Sequence, residues 1–398
     1  MKKILAMLLA LVMVMGLVAC GTDAPETTAP AETTAPAEST PAETNPAEST
    51  PAVSDVEYKI AMITDYGDIT DQSFNQTTYE AVKAFSEANG VAYNYYKPSG
   101  DSTAERIAMV DAAIVDGYNV IVMPGFAFGE TLAEVADLYP EIKFVALAVA
   151  EGEGGFTATE NVFSAVYQEE LSGYMAGYAA VKLGYKHLGY LGGMAVPAVQ
   201  RFGYGFLQGV DAAAKELGIV GDIKVEYVYG NQFYGDADIT AVMDTWYGEK
   251  GVECVFACGG GIWSSAAEAA AKVGGKVIGV DVDQAAIIDG QYGEGMTVTS
   301  AMKGLAPTVN TVLSAIVLED NWAAYAGKIE PLGQVSADPE ANYVQIHMAS
   351  TQFAEGFTAV DYSALVAAMF EGTVAVSGDI SAFPTTEVTV ETYADIKG

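Results

Sequence analysis

The regular alternation of short apolar runs with longer segments of helical period constrains the fold of this chain more than any other feature. It begins at Tyr58 and continues beyond residue 300. Continuous apolar strands between helices are typical of parallel sheets that are covered by helices on both faces. Two successive series of such units predict an α/β protein with two doubly wound parallel-sheet lobes joined by a hinge. The predicted strands are 59–64, 91–96, 119–123, 144–149, 162–167, 188–191, 225–229, 254–258, 277–280 and 297–302.

The division of the chain between the two lobes is predicted from where the two series meet. We expect the first lobe at about 58–160 plus 297–328, and the second at about 161–296 plus 329–398. The chain then crosses between the lobes three times. Thr and Val alternate over 385–392, which predicts a closing strand near the carboxyl terminus.

The amino-terminal segment is typical of an exported lipoprotein. Two lysines precede an apolar run over 4–19, which is the layout of a secretory signal peptide, and we assign that signal to 1–19. The Leu-Val-Ala-Cys sequence that ends at Cys20 resembles the lipobox of bacterial lipoproteins. It implies cleavage before Cys20 and diacylation of its sulfur. An ordinary signal peptide cleaved elsewhere is the alternative.

Residues 20–54 consist almost entirely of Ala, Pro, Glu, Thr and Ser, with little apolar surface to bury. Such a composition predicts a disordered linker between the anchor and a ligand-binding domain at 55–398. Its prolines favour an extended conformation of about 3 Å per residue, so the linker reaches up to ~100 Å. A stalk through a thick cell wall fits that length and favours a Gram-positive source. A simple flexible leader is the alternative.

Charge and cysteine content exclude several functions. The formal net charge of −34 excludes a phosphate-neutralising surface, so no nucleic-acid partner is expected. Cys254 and Cys258 lie four residues apart on one predicted strand, roughly 13 Å, which is too far for a disulfide. His187 and His347 each stand apart from other plausible ligands. We therefore expect no metal site, no cofactor and no catalytic constellation, and hence a binding protein that is not an enzyme.

Candidate binding residues follow the predicted strands at their carboxyl ends, where open parallel sheets bind ligands. Asp65 follows the first strand, and Asp281 follows the strand at 277–280. Phe233 and Gly260 follow two strands of the second series, and Lys303 follows the last predicted strand. Carboxylates and aromatic rings with few cations favour a neutral ligand that is rich in hydroxyls or heterocyclic.

The segment 64–76, Thr-Asp-Tyr-Gly-Asp-Ile-Thr-Asp-Gln-Ser-Phe-Asn-Gln, resembles the opening signature of the basic membrane lipoprotein family. Gly192-Gly193, the Val-Asp-Val-Asp-Gln sequence at 280–284 and the Thr-Ser-Ala-Met-Lys sequence at 299–303 extend the resemblance. It covers about residues 58 to 305. The family consists of PnrA-like, nucleoside-binding lipoproteins of ABC importers with a type I periplasmic-binding-protein fold, so the resemblance implies that fold and that function.

The resemblance also implies individual roles at one end of the ligand. Phe74 stacks on one face of the nucleoside base, and Phe233 is the best match for the aromatic residue on the other face. Asp65 and Asn75 bond to polar groups of the ligand.

At the other end, the resemblance implies that Asp281 and Lys303 hold the ribose hydroxyls, and that Gly260 lets the backbone approach the ligand closely. Ala148 departs from the pattern, because many family members carry an aspartate there. Without this aspartate the cleft has one hydrogen-bond acceptor fewer, so a sugar or a signalling molecule is the alternative ligand.

The resemblance implies a substrate-binding lipoprotein that captures a nucleoside, with a purine nucleoside expected, and delivers it to an ABC permease and its ATPase. We expect a monomer tethered to the outer face of the cell membrane. A surface lipoprotein that hydrolyses nucleosides is a second alternative, and a sensor or adhesin subunit is a third.

Overall fold

The computed structural model describes residues 56–398, which form one compact unit. The predicted signal peptide, the lipidation site at Cys20 and the linker lie outside the described residues. The strands are β1 Lys59–Ile63, β2 Ala92–Tyr96, β3 Val120–Pro124, β4 Lys143–Leu147, β5 Val162–Tyr167, β6 His187–Gly192, β7 Lys224–Tyr229, β8 Cys254–Cys258, β9 Lys276–Asp281, β10 Thr297–Lys303, β11 Lys328–Leu332, β12 Val344–Ile346 and β13 Thr389–Thr392. The α-helices are α1 Phe74–Asn89, α2 Thr103–Val115, α3 Phe128–Val135, α4 Glu169–Lys182, α5 Pro197–Leu217, α6 Ala237–Asp244, α7 Trp263–Val273, α8 Ala285–Tyr292, α9 Leu305–Val317 and α10 Ala359–Phe370.

The strands form two sheets. The first has the order β11-β5-β4-β3-β1-β2, and all its pairings are parallel. The second has the order β12-β10-β9-β8-β6-β7-β13, in which only the pairing of β12 with β10 is antiparallel. Both sheets contain the doubly wound strand order 2-1-3-4-5, when the strands of each sheet are numbered along the chain from β1 in the first sheet and from β6 in the second. The predicted α/β fold with two doubly wound sheets is confirmed.

The central strands are apolar because helices cover them on both faces. Every residue of β3 and of β8 is buried. On one face of the first sheet Val82 and Val309 pack into the core, and Val110 and Leu132 do so on the other. The continuous apolar runs in the sequence are the direct result of this burial.

The sheet pairing corrects all three predicted boundaries between the lobes. β5 pairs with β4 and β11 pairs with β5, so 162–167 and 328–332 belong to the first sheet. β10 pairs with β9, so 297–303 belongs to the second sheet. A buried parallel strand has the same apolar pattern in either sheet, and therefore the sequence did not show where the chain changes sheets. We propose a first lobe of 56–168 plus 305–332 and a second lobe of 169–304 plus 344–398.

Three connections between the sheets lie side by side and form the hinge. The Gln168 backbone N–H donates to Leu332 at 3.0 Å. The Gly304 N–H donates to the Tyr343 carbonyl at 2.6 Å, and the Tyr343 N–H donates to Gly333 at 3.0 Å. These bonds tie the crossing segments into a short bundle.

Helices α4 and α5 of the second lobe pack through glycines on both sides. A Cβ atom added at Gly173, Gly177, Gly205 or Gly209 would lie 2.0–2.2 Å from a backbone carbonyl oxygen of the facing helix. Only glycine permits this approach of two backbones. The packing fixes the amino end of α5, which reaches the carboxyl edge of the second sheet.

The carboxyl-terminal segment closes the edge of the second sheet. β13 pairs in parallel with β7, which confirms the predicted closing strand for 389–392 but not for 385–388. Beneath it the buried Glu226 carboxylate lies 3.0 Å from His187 Nε2, 3.0 Å from Lys224 Nζ and 3.1 Å from Lys250 Nζ, and it accepts a hydrogen bond from Tyr393. Burial alone would raise the Glu226 pKa, but these donors outweigh it and lower the pKa to about 2. Within 56–398, no helix combines the length and the apolar character needed to cross a bilayer.

Candidate ligand-binding cleft

A cleft of about 370 Å³ lies where the carboxyl ends of the two sheets face each other. This volume falls in the range of about 300–1,000 Å³ that is usual for small-molecule sites. All the ligand-binding residues predicted from the sequence line it, although they come from six separate segments of the chain. They are Asp65, Phe74, Asn75, Phe233, Gly260, Asp281 and Lys303.

Asp65 follows β1 at the point where the strand order of the first sheet reverses. Its Oδ1 accepts the backbone N–H groups of Tyr66 and Gly67, each at 2.7 Å, and the Asn75 amide at 3.2 Å. Burial raises the Asp65 pKa, and the three hydrogen bonds only partly oppose that effect. Among the described residues no donor bonds to Oδ2. That oxygen is therefore available to a ligand.

Asn75 is oriented by two carboxylates. Its Nδ2 donates to Asp65 Oδ1 at 3.2 Å and to Asp71 Oδ2 at 3.1 Å, and only the nitrogen of an amide can serve both acceptors. Its Oδ1 is consequently turned away from them, and it is buried with no hydrogen-bond partner in the described part of the chain. A buried acceptor without a donor is rare in folded proteins. A ligand N–H or O–H group would satisfy it.

Asp281 and Lys303 form an ion pair on the second lobe. Lys303 Nζ lies 3.1 Å from Asp281 Oδ1 and 3.8 Å from the buried Glu169 Oε1. Burial lowers the Lys303 pKa, but the two carboxylates outweigh that effect and the pKa is raised. The ammonium group therefore stays charged inside the cleft. Asp281 also accepts a hydrogen bond from Ser73 Oγ at 2.5 Å.

The two predicted aromatic residues come from opposite lobes. Phe74 is half-buried at the start of α1, and the Lys303 ammonium lies 4.5 Å from its ring centroid, a cation–π distance. Phe233 follows β7, and its ring lies against glycine backbone. A Cβ added at Gly193 would lie 2.3 Å from Phe233 Cδ1, and one added at Gly259 would lie 2.9 Å from the same atom.

Gly260 lines the cleft, and the structure supplies a reason for glycine that differs from the predicted one. Its φ is +51°, and an added Cβ would lie 2.7 Å from the Phe233 carbonyl oxygen. Both features require glycine because the loop packs closely on its neighbour. Approach to a ligand is not needed to explain this residue.

Ala148 and Asp281 occupy matching places at the ends of β4 and β9, the fourth strands of the two doubly wound series. Both have left-handed backbone, with φ of +61° and +67°. Aspartate tolerates this conformation better than alanine does. Ala148 lines the cleft, so the side where a carboxylate would match Asp281 carries only a methyl group.

Sequence reasoning did not identify two residues that line the cleft, Tyr66 and Phe202, or the buried Ser73, which contacts the cleft residue Asp281. Tyr66 follows Asp65 directly, and its ring centroid lies 6.4 Å from that of Phe233. Ser73 lies within the family signature at 64–76, and that signature could have identified it. Phe202 lies on α5 and lines the cleft from within an ordinary helical apolar pattern. Only the tertiary packing brings this core residue to the cleft wall.

The electrostatics of the cleft disfavour an anionic ligand. Lys97 is paired with Asp68 at 2.7 Å, and Lys303 is paired with Asp281. Both lysines that line the cleft are therefore already neutralised by carboxylates. Across residues 56–398, no group of three or more His, Cys, Asp or Glu side chains is placed to hold a metal ion. Cys254 and Cys258 are buried and free, as predicted, and burial raises the pKa of both thiols.

Comparison with known proteins gives one consistent result. Residues 58–329 match the family model described as ABC transporter substrate-binding protein PnrA-like. The chain is 28% identical over 241 residues to the ABC transporter nucleoside-binding protein BmpA of Lactococcus lactis, a match that covers 57% of this chain and 65% of the relative. It is 27% identical over 291 residues to basic membrane protein B of Borreliella afzelii, with 69% of this chain and 78% of the relative covered. The chain thus spans just under two thirds of the length of the Lactococcus protein.

Among solved structures, the chain resembles an ABC transporter solute-binding protein from Aeropyrum pernix with a TM-score of 0.63 and 23% identity. The likeness covers 80% of this chain and 87% of that one. At this identity it shows the fold alone, which is the type I periplasmic-binding-protein architecture.

Proposed function

We propose that this chain, which belongs to the PnrA-like family of ABC transporter substrate-binding proteins, captures a nucleoside in the cleft between its lobes and delivers it to a membrane permease and its ATPase. Family membership makes it a substrate-binding protein and not an enzyme. The ligand, the partner permease and the monomeric state belong to the proposal. A purine nucleoside is the ligand that we propose.

The observation that carries the proposal is the unpartnered acceptor at one end of the cleft. Asn75 Oδ1 is buried without a donor from the described residues, and Asp65 Oδ2 lies in the same wall. Acceptors without a donor suit the ring N–H and amino groups of a purine base. A sugar offers hydroxyl donors but no flat heterocycle for the aromatic residues that line the same cleft.

The ion pair at the other part of the cleft suits the ribose. Each carboxylate has about four acceptor positions. Asp281 uses two of them for Ser73 and Lys303, so positions remain for hydroxyl donors. Lys303 can donate to a hydroxyl oxygen without leaving Asp281, because an ammonium group has three donors. A 5′-phosphate would find no unpaired cation among the described cleft residues, and we therefore propose that nucleotides are rejected.

A different small ligand, such as a sugar or a signalling molecule, is the second candidate. Ala148 favours it, because a methyl group replaces the carboxylate that would match Asp281 on the first lobe. The two candidates differ in their need for the acceptor pair formed by Asp65 and Asn75.

We further propose that Cys20 carries the lipid anchor and that the protein works outside the cytoplasm, at the outer face of the cell membrane. The support is the sequence that precedes Cys20 and the linker that follows it. Mass spectrometry of the mature amino terminus tests this, since a diacylated Cys20 is expected there. An unmodified terminus at another residue would contradict it.

A thermal-shift panel tests the ligand class. At a ligand concentration of 100 times Kd, binding stabilises the folded state by about 2.7 kcal/mol, which raises Tm by several degrees. We expect such shifts with purine nucleosides, and none with nucleoside monophosphates or monosaccharides. Phe74→Ala should abolish the shift, whereas Phe370→Ala, which truncates an exposed ring on α10, should retain it. Shifts with monosaccharides alone would establish the second candidate.

A further inference from the structure

Two consecutive residues of the first lobe hydrogen-bond directly to the second lobe. The Gln72 carbonyl oxygen accepts from Gln284 Nε2 at 3.1 Å, and Ser73 Oγ donates to Asp281 Oδ2 at 2.5 Å. Both partners lie at the end of β9 or just beyond it. The two bonds cross the cleft on the side where Asp281 faces the ligand space.

The next residue makes a third contact of the same kind. The Phe74 ring, at the first position of α1, receives the Lys303 ammonium at 4.5 Å from its centroid. Lys303 is the ion-pair partner of Asp281. The segment Gln72–Phe74 therefore contacts three linked side chains of the second lobe, and we refer to this segment as the latch.

The latch has an unusual and well-supported backbone. Gln72 has a φ of +56°, which is uncommon for a residue with a side chain. Asp71 holds the following turn, because its Oδ1 accepts the N–H of Ser73 at 2.9 Å and that of Gln76 at 3.0 Å. Strained backbone that is fixed by its surroundings occurs often at ligand clamps and switch regions. The first lobe thus presents the Ser73 hydroxyl in one direction.

The hydrogen bond between Ser73 and Asp281 is buried, which increases its contribution to holding the lobes together. Ser73 is fully buried and Asp281 is only 5% exposed. The two residues lie on opposite lobes, so separation of the lobes would return both groups to water. A hydrogen bond to a buried carboxylate is stronger than one between neutral groups.

We propose that Ser73 is a positioning residue that couples lobe closure to ligand retention. Its hydroxyl holds Asp281 Oδ2 when the lobes are together, which leaves Oδ1 and the remaining lone pairs directed at Lys303 and at the ligand hydroxyls. The retention part rests on the proposed function. The closure part stands on the contacts across the cleft alone.

Ser86 offers a matched control on the same helix. It is also fully buried, but its hydroxyl has no hydrogen-bond partner among the described residues, and it lies at the far end of α1. Ser86→Ala and Ser73→Ala remove the same atom from two fully buried positions. Only Ser73→Ala removes a contact between the lobes.

The experiment combines stopped-flow dissociation with small-angle X-ray scattering on the wild type and both variants. The bound probe is inosine, displaced by excess guanosine. We expect Ser73→Ala to release inosine at least about tenfold faster, because a hydrogen bond to a charged group is lost. We also expect it to have a larger radius of gyration than the wild type, with and without nucleoside. Ser86→Ala should match the wild type in both measurements.

The experiment distinguishes failure of the closure part from failure of the proposed nucleoside function. If the wild type binds inosine and Ser73→Ala shows the same release rate and radius as the wild type, the latch is refuted and the nucleoside function stands. If the wild type binds no nucleoside, the proposed function fails, and the ligand-free radii still decide on closure. A larger radius for Ser73→Ala alone supports the closure part, and equal radii refute it.

Discussion

Replacing Gly209 with alanine should force α4 and α5 apart and destabilise the second lobe. The new Cβ would lie 2.1 Å from the Tyr174 backbone carbonyl oxygen. A normal contact of that kind is more than 1 Å longer, and a backbone oxygen within a helix cannot rotate away. Overpacking of this sort costs about 1–3 kcal/mol, and the better helix propensity of alanine returns up to about 1 kcal/mol. Because the obstacle is backbone, we expect a net loss of about 2 kcal/mol.

Gly290 provides the opposite case. It lies within α8, is exposed, and has no atom within 4 Å of the position that a Cβ would take. Gly290→Ala should therefore stabilise the protein by about 0.5–1 kcal/mol through helix propensity alone. The two substitutions are chemically identical, and the structure assigns them opposite signs.

Thermal unfolding followed by circular dichroism or calorimetry measures both effects. A loss of about 2 kcal/mol corresponds to a fall in Tm of about 3 °C for a domain of roughly 340 residues, and the gain at Gly290 to a rise of about 1 °C. Equal Tm shifts of the same sign for the two variants would refute the backbone-contact reasoning. The position of α5 at the cleft would then need another explanation.

Three other outcomes follow from the same geometry. Ala148→Gly should raise stability by about 0.5–1 kcal/mol, because glycine relieves the left-handed backbone at φ +61°; a lower Tm would contradict this. Asp65→Asn should weaken nucleoside binding at least about tenfold in calorimetric titration. The substitution replaces the free carboxylate oxygen that faces the cleft, and it disrupts the hydrogen bonds that orient Asn75. Unchanged affinity would show that Asp65 is not part of the site. Glu226→Gln should cost about 1.5–3 kcal/mol at pH 7, because it weakens the charged hydrogen bonds beneath β13. Since the Glu226 pKa is lowered to about 2 from an ordinary value of 4.5, its stabilising effect is complete above about pH 4.5 and disappears as the pH falls towards 2. The Tm difference between Glu226→Gln and the wild type should therefore shrink at low pH, and a constant difference would contradict the assignment.

Much of the architecture could be predicted from the sequence because burial leaves a plain pattern. The ten predicted strands all exist. Most are buried apolar runs between helices, whereas β2 is a largely exposed edge strand with the sequence Ala-Tyr-Asn-Tyr-Tyr. β11 and β12 escaped prediction because they are short edge strands that carry polar residues, such as Glu330 and Gln345, and lack that pattern. The sheet to which β5 and β10 belong also escaped, because the apolar pattern records burial and not the identity of the neighbouring strand.

The candidate site was also predictable only in part. Asp65, Asp281 and Lys303 could be placed at the ligand-binding edges of the two sheets, because the parallel strands of a sheet all end on the same side. The contact between Ser73 and Asp281 joins residues 208 positions apart in different lobes, and no local pattern encodes it. The reason for glycine at Gly260 was also tertiary, because it depends on the Phe233 carbonyl oxygen in a neighbouring loop.

Isothermal titration calorimetry of the purified protein with purine nucleosides, after partial unfolding and refolding to remove retained ligand, tests the central claim most directly. The account predicts binding that is micromolar or tighter, with a sharp loss in Phe74→Ala and in Asp281→Ala. Absence of heat with every nucleoside, from protein shown to be folded, would contradict it and would assign the cleft to another class of small ligand.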